Sequence, residues 1–270
     1  MTNPSVYLGN VVIITGASLG IGKALAQQLA DQGARLALAA RNAEQLDAVA
    51  AEDRARGAKA LAVPTDVTEP AQCKSLIERT VREYGRIDTL INNAGVGMWA
   101  MFDQVQDITI FERLLRANYL GSVYCTFYAL PYLKQTRGRI VGVSSLAGKT
   151  GVPARTAYAA SKHAMGGFFD SLRVEMAQHG VSVTMAYPDF VATGGRFRNL
   201  GADGKPVLNA PAYAANTMSA ETCARLILRG VAKREREIYV SARGKLGQWA
   251  KLVLPNLVDR IALRAIEKGE

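Results

Sequence analysis

Val11-Val12-Ile13-Ile14-Thr15-Gly16-Ala17-Ser18-Leu19-Gly20-Ile21-Gly22 runs five apolar or β-forming residues into three glycines spaced G-x-x-x-G-x-G. An apolar-periodic segment over residues 24–30 follows and stops at Gly33. The pattern predicts a strand, a glycine turn and a helix. Glycines remove the Cβ atoms that keep a backbone away from a ligand, and the free N–H groups of a helix N-terminus favour anions. Gly16, Ser18, Gly20, Ile21 and Gly22 are therefore candidate contacts for a phosphate-bearing ligand. A tight turn with no ligand is the plain alternative, and the flanking strand and helix weigh against it.

Working outward, further strands are predicted at 35–39, 59–63, 87–91, 139–143, 181–187 and 237–240. Helical segments at 42–56, 70–84, 111–133, 157–178 and 220–232 separate them. Strand and helix in alternation predict an α/β fold, a Rossmann-like doubly wound parallel sheet of about seven strands in a single domain. A chain of 270 residues, 49% of them hydrophobic, can bury one large core without a second domain. Residues 1–243 are expected to form the dinucleotide-binding and catalytic unit, with 244–270 as a helical extension of the same domain.

Chemistry concentrates at Ser145, Tyr158 and Lys162. Tyr158 and Lys162 are four apart, so on a helix they stand on one face, a turn from each other. A cation at ~4 Å in an effective dielectric of ~20 is worth about 4 kcal/mol. That equals about 3 pKa units, enough to bring a phenol near neutral pH. Such a group can give a proton to a carbonyl oxygen or take one from an alcohol. Ser145 follows the apolar run 139–143 and should sit at the carboxyl end of a strand, where its hydroxyl can hold the same oxygen. A bare Y-x-x-x-K is more often an exposed Tyr beside a solvated Lys, so the surrounding motifs matter.

Those motifs, in order, resemble the short-chain dehydrogenase/reductase family. The G-x-x-x-G-x-G loop, the Asn92-Asn93-Ala94-Gly95 tetrapeptide, Arg116-Ala-Asn118-Tyr-Leu-Gly121, and Ser145 with Tyr158-x-x-x-Lys162 all match it across residues 8–240. The resemblance implies a hydride transfer between a nicotinamide cofactor and a carbonyl or alcohol. It gives Asn118, Ser145, Tyr158 and Lys162 the catalytic roles, with Tyr158 and Lys162 also binding the cofactor and Lys162 holding its ribose. Asn118 would bend its helix and hold a water that leads to Lys162. Asp66 and Val67 would contact the adenine, while Asn93, Ala94 and Gly95 would pack behind the adenosine. Pro188, Val191 and Thr193 would surround the nicotinamide, although Asp189 stands where the family has glycine. Asp tolerates unusual backbone angles, so the turn is expected to survive.

The second strand ends in Ala40-Arg41, where an NAD-selective site usually carries an acid. Arg41 offers a guanidinium suited to the 2′-phosphate of NADP, so NADP(H) is the expected cofactor, with NAD(H) as the second option. The stretch 194–218 is rich in Gly, Pro, Ala and Asn, which suits a mobile lid over the substrate. Small residues on one helix (Ala157, Ala160, Ser161, Ala164, Gly167) suggest a homo-oligomer or internal packing. A 3-oxoacyl reductase, and a non-catalytic NADP-binding redox sensor, are the alternatives to a reductase of apolar, lipid-like carbonyls.

Cys73, Cys125 and Cys223 are far apart and fit no metal pattern, which points to a reducing, cytoplasmic setting without a metal site. His163 and His179 have no ligand-type neighbours. Residues 1–10 show no signal-peptide pattern, and no stretch approaches the ~18 apolar residues of a membrane span. The net charge is +10, and residues 225–270 hold 11 Lys/Arg against 5 Asp/Glu, a surplus of six. No nucleic-acid motif accompanies this excess. Anionic cofactor, acyl-carrier substrates or a membrane surface would each be attracted to it. Two short helices broken at Pro255 are predicted, with apolar residues that cover the core, roof the cleft or rest on a membrane.

Overall fold

In the computed structural model, which describes residues 5–193, 199–207 and 217–267, the predicted strands form one parallel sheet. They are β1 Val11–Thr15, β2 Arg35–Ala40, β3 Lys59–Pro64, β4 Thr89–Asn92, β5 Arg139–Val143, β6 Ser182–Tyr187 and β7 Glu237–Tyr239. The spatial order is β7-β6-β5-β4-β1-β2-β3, so the chain walks outward from β1 to β3 and then crosses back to β4. The order therefore reverses between β1 and β4, the place where open α/β sheets leave a crevice for ligands.

The strands are apolar on successive residues because both faces of the sheet are covered. In β1, Val12 and Ile14 join a core with α1 Gly20–Asp31, α2 Ala43–Ala55 and α7 Ala220–Ala232. Ile13 points the other way, into a core with α3 Pro70–Tyr84, α5 Gly121–Thr136 and α6 Thr156–Met176. All five residues of β1 are buried, as a strand buried on both faces requires.

Strand β4 starts at Thr89, two residues later than the apolar pattern predicts. Asp88 interrupts it: its carboxylate accepts from Val11 N at 2.9 Å and is paired with Arg86. The segment expected as one helix over 111–133 is in three parts. A short α4, Thr109–Leu114, passes into a π turn over Leu115–Leu120 and then into α5. The wide turn contains Asn118, and π turns of this kind are frequent at functional sites.

The C-terminal segment forms α8 Ala242–Val253 and α9 Pro255–Glu267, broken at the proline as the sequence predicts. Residues 194–198 and 208–216 of the expected lid lie outside the described residues. The piece between them is not irregular throughout, because Asn199–Leu200 pairs in parallel with Gly97–Met98. The small residues of α6 form one stripe, buried along one edge and exposed along the other. Ala157 and Ser161 are buried, whereas Ala160 and Gly167 are exposed.

Candidate active site

The loop after β1 is held against the loop after β4 by one hydroxyl and one amide. Thr15 Oγ1 accepts from Asn93 N and Ala94 N, each at 3.0 Å. Asn93 Nδ2 donates to Thr15 O at 2.9 Å and to Gly16 O at 3.2 Å. Nothing larger than glycine fits there. A Cβ on Gly16, whose φ is +67°, would lie 2.8 Å from Ala94 Cα, and one on Gly22 would lie 2.2 Å from Gly16 O. A Cβ on Gly20 would meet Thr193 at 2.8 Å, so the loop after β6 crosses close over the glycine turn. Ser18 is buried inside the turn. Helix α1 starts at Gly20 with no acid in its first turn and no side-chain cap, which leaves its N–H groups for an anion. A side-chain-free cradle at a helix N-terminus fits the pyrophosphate of a dinucleotide.

The adenosine-side residues stand at the same end of the sheet. Arg41 directly follows β2; it is exposed, and its guanidinium makes no hydrogen bond or ion pair with a described residue. Asn42 behind it caps α2 by accepting from Gln45 N. Asp66 follows β3 and uses Oδ1 to accept from both Thr68 N and Thr68 Oγ1, forming a turn. Val67 is buried against Gly121, where a Cβ would lie 2.7 Å from Val67 Cγ2.

One cavity opens between the glycine turn and α6, lined among others by Gly20, Asn93, Ser144, Tyr158, Lys162 and Thr193. Ile21 and Gly95 also reach it. Lys162 is 3% exposed, and its Nζ donates to Val143 O at 2.9 Å. Burial holds its pKa down to about 8, so at pH 7 roughly nine in ten molecules keep the charge. Nζ lies 5.8 Å from the centre of the Tyr158 ring. The expected pair is thus present on α6, with the cation buried against the phenol.

Asn118 ties the loop after β4 to the same helix. Its Oδ1 accepts from Val96 N at 2.7 Å, and its Nδ2 donates to Val96 O at 2.9 Å and Ser161 Oγ at 2.8 Å. Both amide donors are engaged. A Cβ on Gly95 would meet Asn118 Oδ1 at 3.1 Å and Lys162 Nζ at 3.6 Å, so the two groups flank one glycine.

Ser145 caps the single turn Leu146–Gly148, accepting from Ala147 N at 3.2 Å. That bond occupies an oxygen lone pair and leaves the O–H to donate. Its neighbour Ser144, not Ser145, lines the cavity. Pro188 O accepts from Leu146 N at 3.0 Å, which sets the loop after β6 beside the Ser145 turn. Val191 pairs with Met218 beyond it. Among the described residues, the positive-φ residues other than glycine are Arg137, Ala154 and Arg234, so the position of Asp189 does not demand a glycine.

Two polar cavity residues have no motif to announce them, Arg155 and Asn199. The Arg155 guanidinium lies 5.1 Å from the Trp99 ring centre and 5.8 Å from that of Tyr158. Their signal exists only in three dimensions. Thr15, by contrast, was open to notice as a hydroxyl at a strand end immediately before the glycines. Among the described residues no group of three His, Cys, Asp or Glu side chains is placed to hold a metal, and no helix is long and apolar enough to cross a membrane.

Comparison with known proteins agrees with this geometry. Residues 10–200 match the family described as short chain dehydrogenase. The chain is 36% identical over 259 residues to 11-beta-hydroxysteroid dehydrogenase 1A of Arabidopsis thaliana, covering 93% of this chain and 74% of that protein. It is 35% identical over 261 residues to dehydrogenase/reductase SDR family protein 7-like of Dictyostelium discoideum, covering 94% and 81%. A solved short chain dehydrogenase/reductase from Burkholderia phymatum, in complex with NAD, superposes with a TM-score of 0.82 at 25% identity over 93% of this chain and 95% of that one. The chain belongs to the short-chain dehydrogenase/reductase family and is an oxidoreductase acting on CH–OH or C=O groups with a nicotinamide cofactor.

Proposed function

We propose that the protein is an NADP(H)-dependent reductase of bulky apolar ketones or aldehydes, able to run in reverse on the alcohols. One observation carries the proposal: a buried Lys162 ammonium beside the Tyr158 ring, in the cavity that the glycine cradle borders. Burying a cation is costly and gives the core nothing that Met or Leu would not give more cheaply. Tyr158 donates its proton to the carbonyl oxygen, and Ser145 holds that oxygen with its open O–H. Lys162 favours the phenolate that remains and holds the ribose. Asn118 fixes the loop of Gly95 and Val96 against α6. Gly16, Ser18, Gly20, Ile21 and Gly22 hold the pyrophosphate, Asp66 and Val67 the adenine, and Asn93, Ala94 and Gly95 the back of the adenosine. Pro188, Val191 and Thr193 hold the nicotinamide side. When bound, the nicotinamide supplies or accepts the hydride. The names of the relatives favour a polycyclic ketone over an acyl thioester.

Cofactor choice rests on Arg41, exposed and without a side-chain partner among the described residues, after Ala40 where a carboxylate would repel a phosphate. A charge-assisted bond contributes roughly 1.5–3 kcal/mol. Arg41→Ala is therefore expected to weaken NADPH binding about tenfold to a hundredfold and NADH binding little. Fluorescence titration of both cofactors checks this; equal affinity of the native protein for the two would contradict it.

The C-terminal pair exposes Leu246 and Trp249 on α8 and Leu257 and Ile261 on α9, with exposed Arg243, Lys245, Arg260 and Arg264 among them. Basic charge interleaved with outward apolar residues suits an anionic lipid surface, and residues 242–267 hold 5 Lys/Arg against 2 Asp/Glu. Vesicles containing phosphatidylserine should bind the full chain, less so at high salt, and Trp249→Ser with Leu246→Ser should reduce binding severalfold. Equal binding to neutral vesicles, or none to either, would remove the lipid surface from the proposal. Exposed Phe127 on α5 and Val174 on α6 support self-association. The three buried free thiols support a cytoplasmic setting.

A further inference from the structure

Asp189 stands where the resemblance to the family implies a glycine, and its carboxylate is neither exposed nor idle. Its side chain is 13% exposed. Oδ1 accepts from Phe190 N at 3.0 Å and from Arg243 Nη2 at 2.8 Å. Oδ2 accepts from Ser241 Oγ at 2.9 Å and from Arg243 Nε at 3.2 Å. The arginine thus engages side-on through two donors, the geometry in which such pairs are strongest. Ser241 is the cap of α8, and its hydroxyl also accepts from Gly244 N at 3.0 Å.

From Gly244 the contacts return to the active site. The first turn of α8 lies so close to the Ser145 turn that a Cβ on Gly244 would sit 2.7 Å from Leu146 Cδ2. Leu146 N in turn donates to Pro188 O, one residue before Asp189. The path is closed, running from Leu146 to Pro188, Asp189, Ser241 and Gly244 and back to Leu146. Farther along α8, Lys251 Nζ donates to Lys149 O at 2.9 Å and repeats the tie to the same turn. Thr193 extends the other branch onto Gly20.

We infer that Asp189 is a positioning residue: by clamping the start of α8 it fixes the Ser145 turn and the Pro188–Thr193 loop relative to each other, and so makes the C-terminal helices a working part of the catalytic cleft. The kinetic side of this rests on the proposed roles of Ser145 and Thr193; the structural side does not. A glycine at this position removes the carboxylate bonds to Ser241 and Arg243, and leaves the Leu146–Pro188 bond and the Arg243 guanidinium 5.6 Å from the centre of the Phe190 ring.

Amide hydrogen exchange and kinetics on the full-length protein test the inference, with Asp189→Ala, Asp189→Asn and Arg243→Met as variants. In Asp189→Ala, exchange at the Leu146 and Gly244 amides should quicken about tenfold or more, while Ile91 and Val141 in the central strands stay protected. Turnover of a ketone should fall about tenfold to a hundredfold, as small misplacements of reacting groups do, with NADPH affinity changed less than about threefold. Asp189→Asn keeps an acceptor for Ser241 and should fall between. Arg243→Met should exceed neither, because its side chain is 70% exposed. Faster exchange at Gly244 alone, with Leu146 and turnover unchanged, would reduce Asp189 to a helix anchor. Faster exchange throughout the sheet would make it a general stability residue. A native protein that reduces no carbonyl would end the proposed function, and the Leu146 exchange would still decide whether the clamp exists.

Discussion

Tyr158→Phe is expected to lower carbonyl reduction by about a hundredfold to ten-thousandfold, the usual contribution of a positioned general acid. The change removes one oxygen and its proton and leaves the ring between Lys162 and Arg155, so the cavity keeps its shape. Cofactor affinity should move by less than about fivefold, since a single neutral hydrogen bond contributes ~1 kcal/mol or less when partly exposed. Single-turnover oxidation of NADPH, beside an equilibrium titration, separates the two effects. A variant with near-native turnover would show that the proton comes from another group. One that fails to bind cofactor would show that the phenol is part of the cradle instead.

Lys162→Met should move activity and stability in opposite directions. Activity should fall at least about a hundredfold, because the variant loses the cation that favours the phenolate. Stability should rise. Burial lowers the Lys162 pKa from 10.5 to about 8, so the folded chain holds this proton less firmly than the unfolded chain does. The resulting penalty is fully present below pH 8, amounts to about 3 kcal/mol at ~1.36 kcal/mol per unit, and fades as pH rises from about 8 to 10.5. Loss of the bond to Val143 O offsets part of it. The cofactor-free variant should therefore melt several degrees above the native protein at pH 7, with the gap narrowing toward pH 10. Calorimetry at both pH values checks this, and a lower melting temperature at pH 7 would mean that Lys162 is a net stabilising contact. In the native enzyme the same titration should weaken ketone reduction above about pH 8.

The seven-stranded sheet was legible because a strand buried on both faces reads as a near-continuous apolar run, and β1, β2 and β5 announce themselves that way after the arginine that opens β2 and β5. The glycine cradle was legible for a related reason: its need for missing side chains is local. Tyr158 and Lys162 share a helix, so their spacing alone puts them together. What escaped reading depends on contacts between distant segments. Asp88 delays the start of β4 by accepting from Val11, 77 positions away. Asp189 looked like a defect in a turn, yet its partners lie 52 and 54 positions downstream on α8. Asn118 could be placed near the chemistry, but its bond to Ser161 could not. Arg155 and Asn199 enter the cavity only after the β4 and β6 loops have been folded around it. Boundaries shifted where a polar side chain captured the backbone, as at Asp88, rather than where the apolar pattern stopped.

The central claim is that this cavity transfers hydride to a carbonyl carbon while Tyr158 protonates its oxygen. Transfer of deuterium from NADPH labelled at nicotinamide C4 tests it most directly, with a polycyclic ketone as acceptor and mass spectrometry of the alcohol as readout. One deuterium on the carbinol carbon is expected with the native protein, at least about a hundredfold less of it with Tyr158→Phe, and the same stereochemistry in both. Tight binding of NADPH with no deuterium in any alcohol, across steroid, aliphatic and aromatic ketones and aldehydes, would contradict the account and leave a dinucleotide-binding protein without this chemistry.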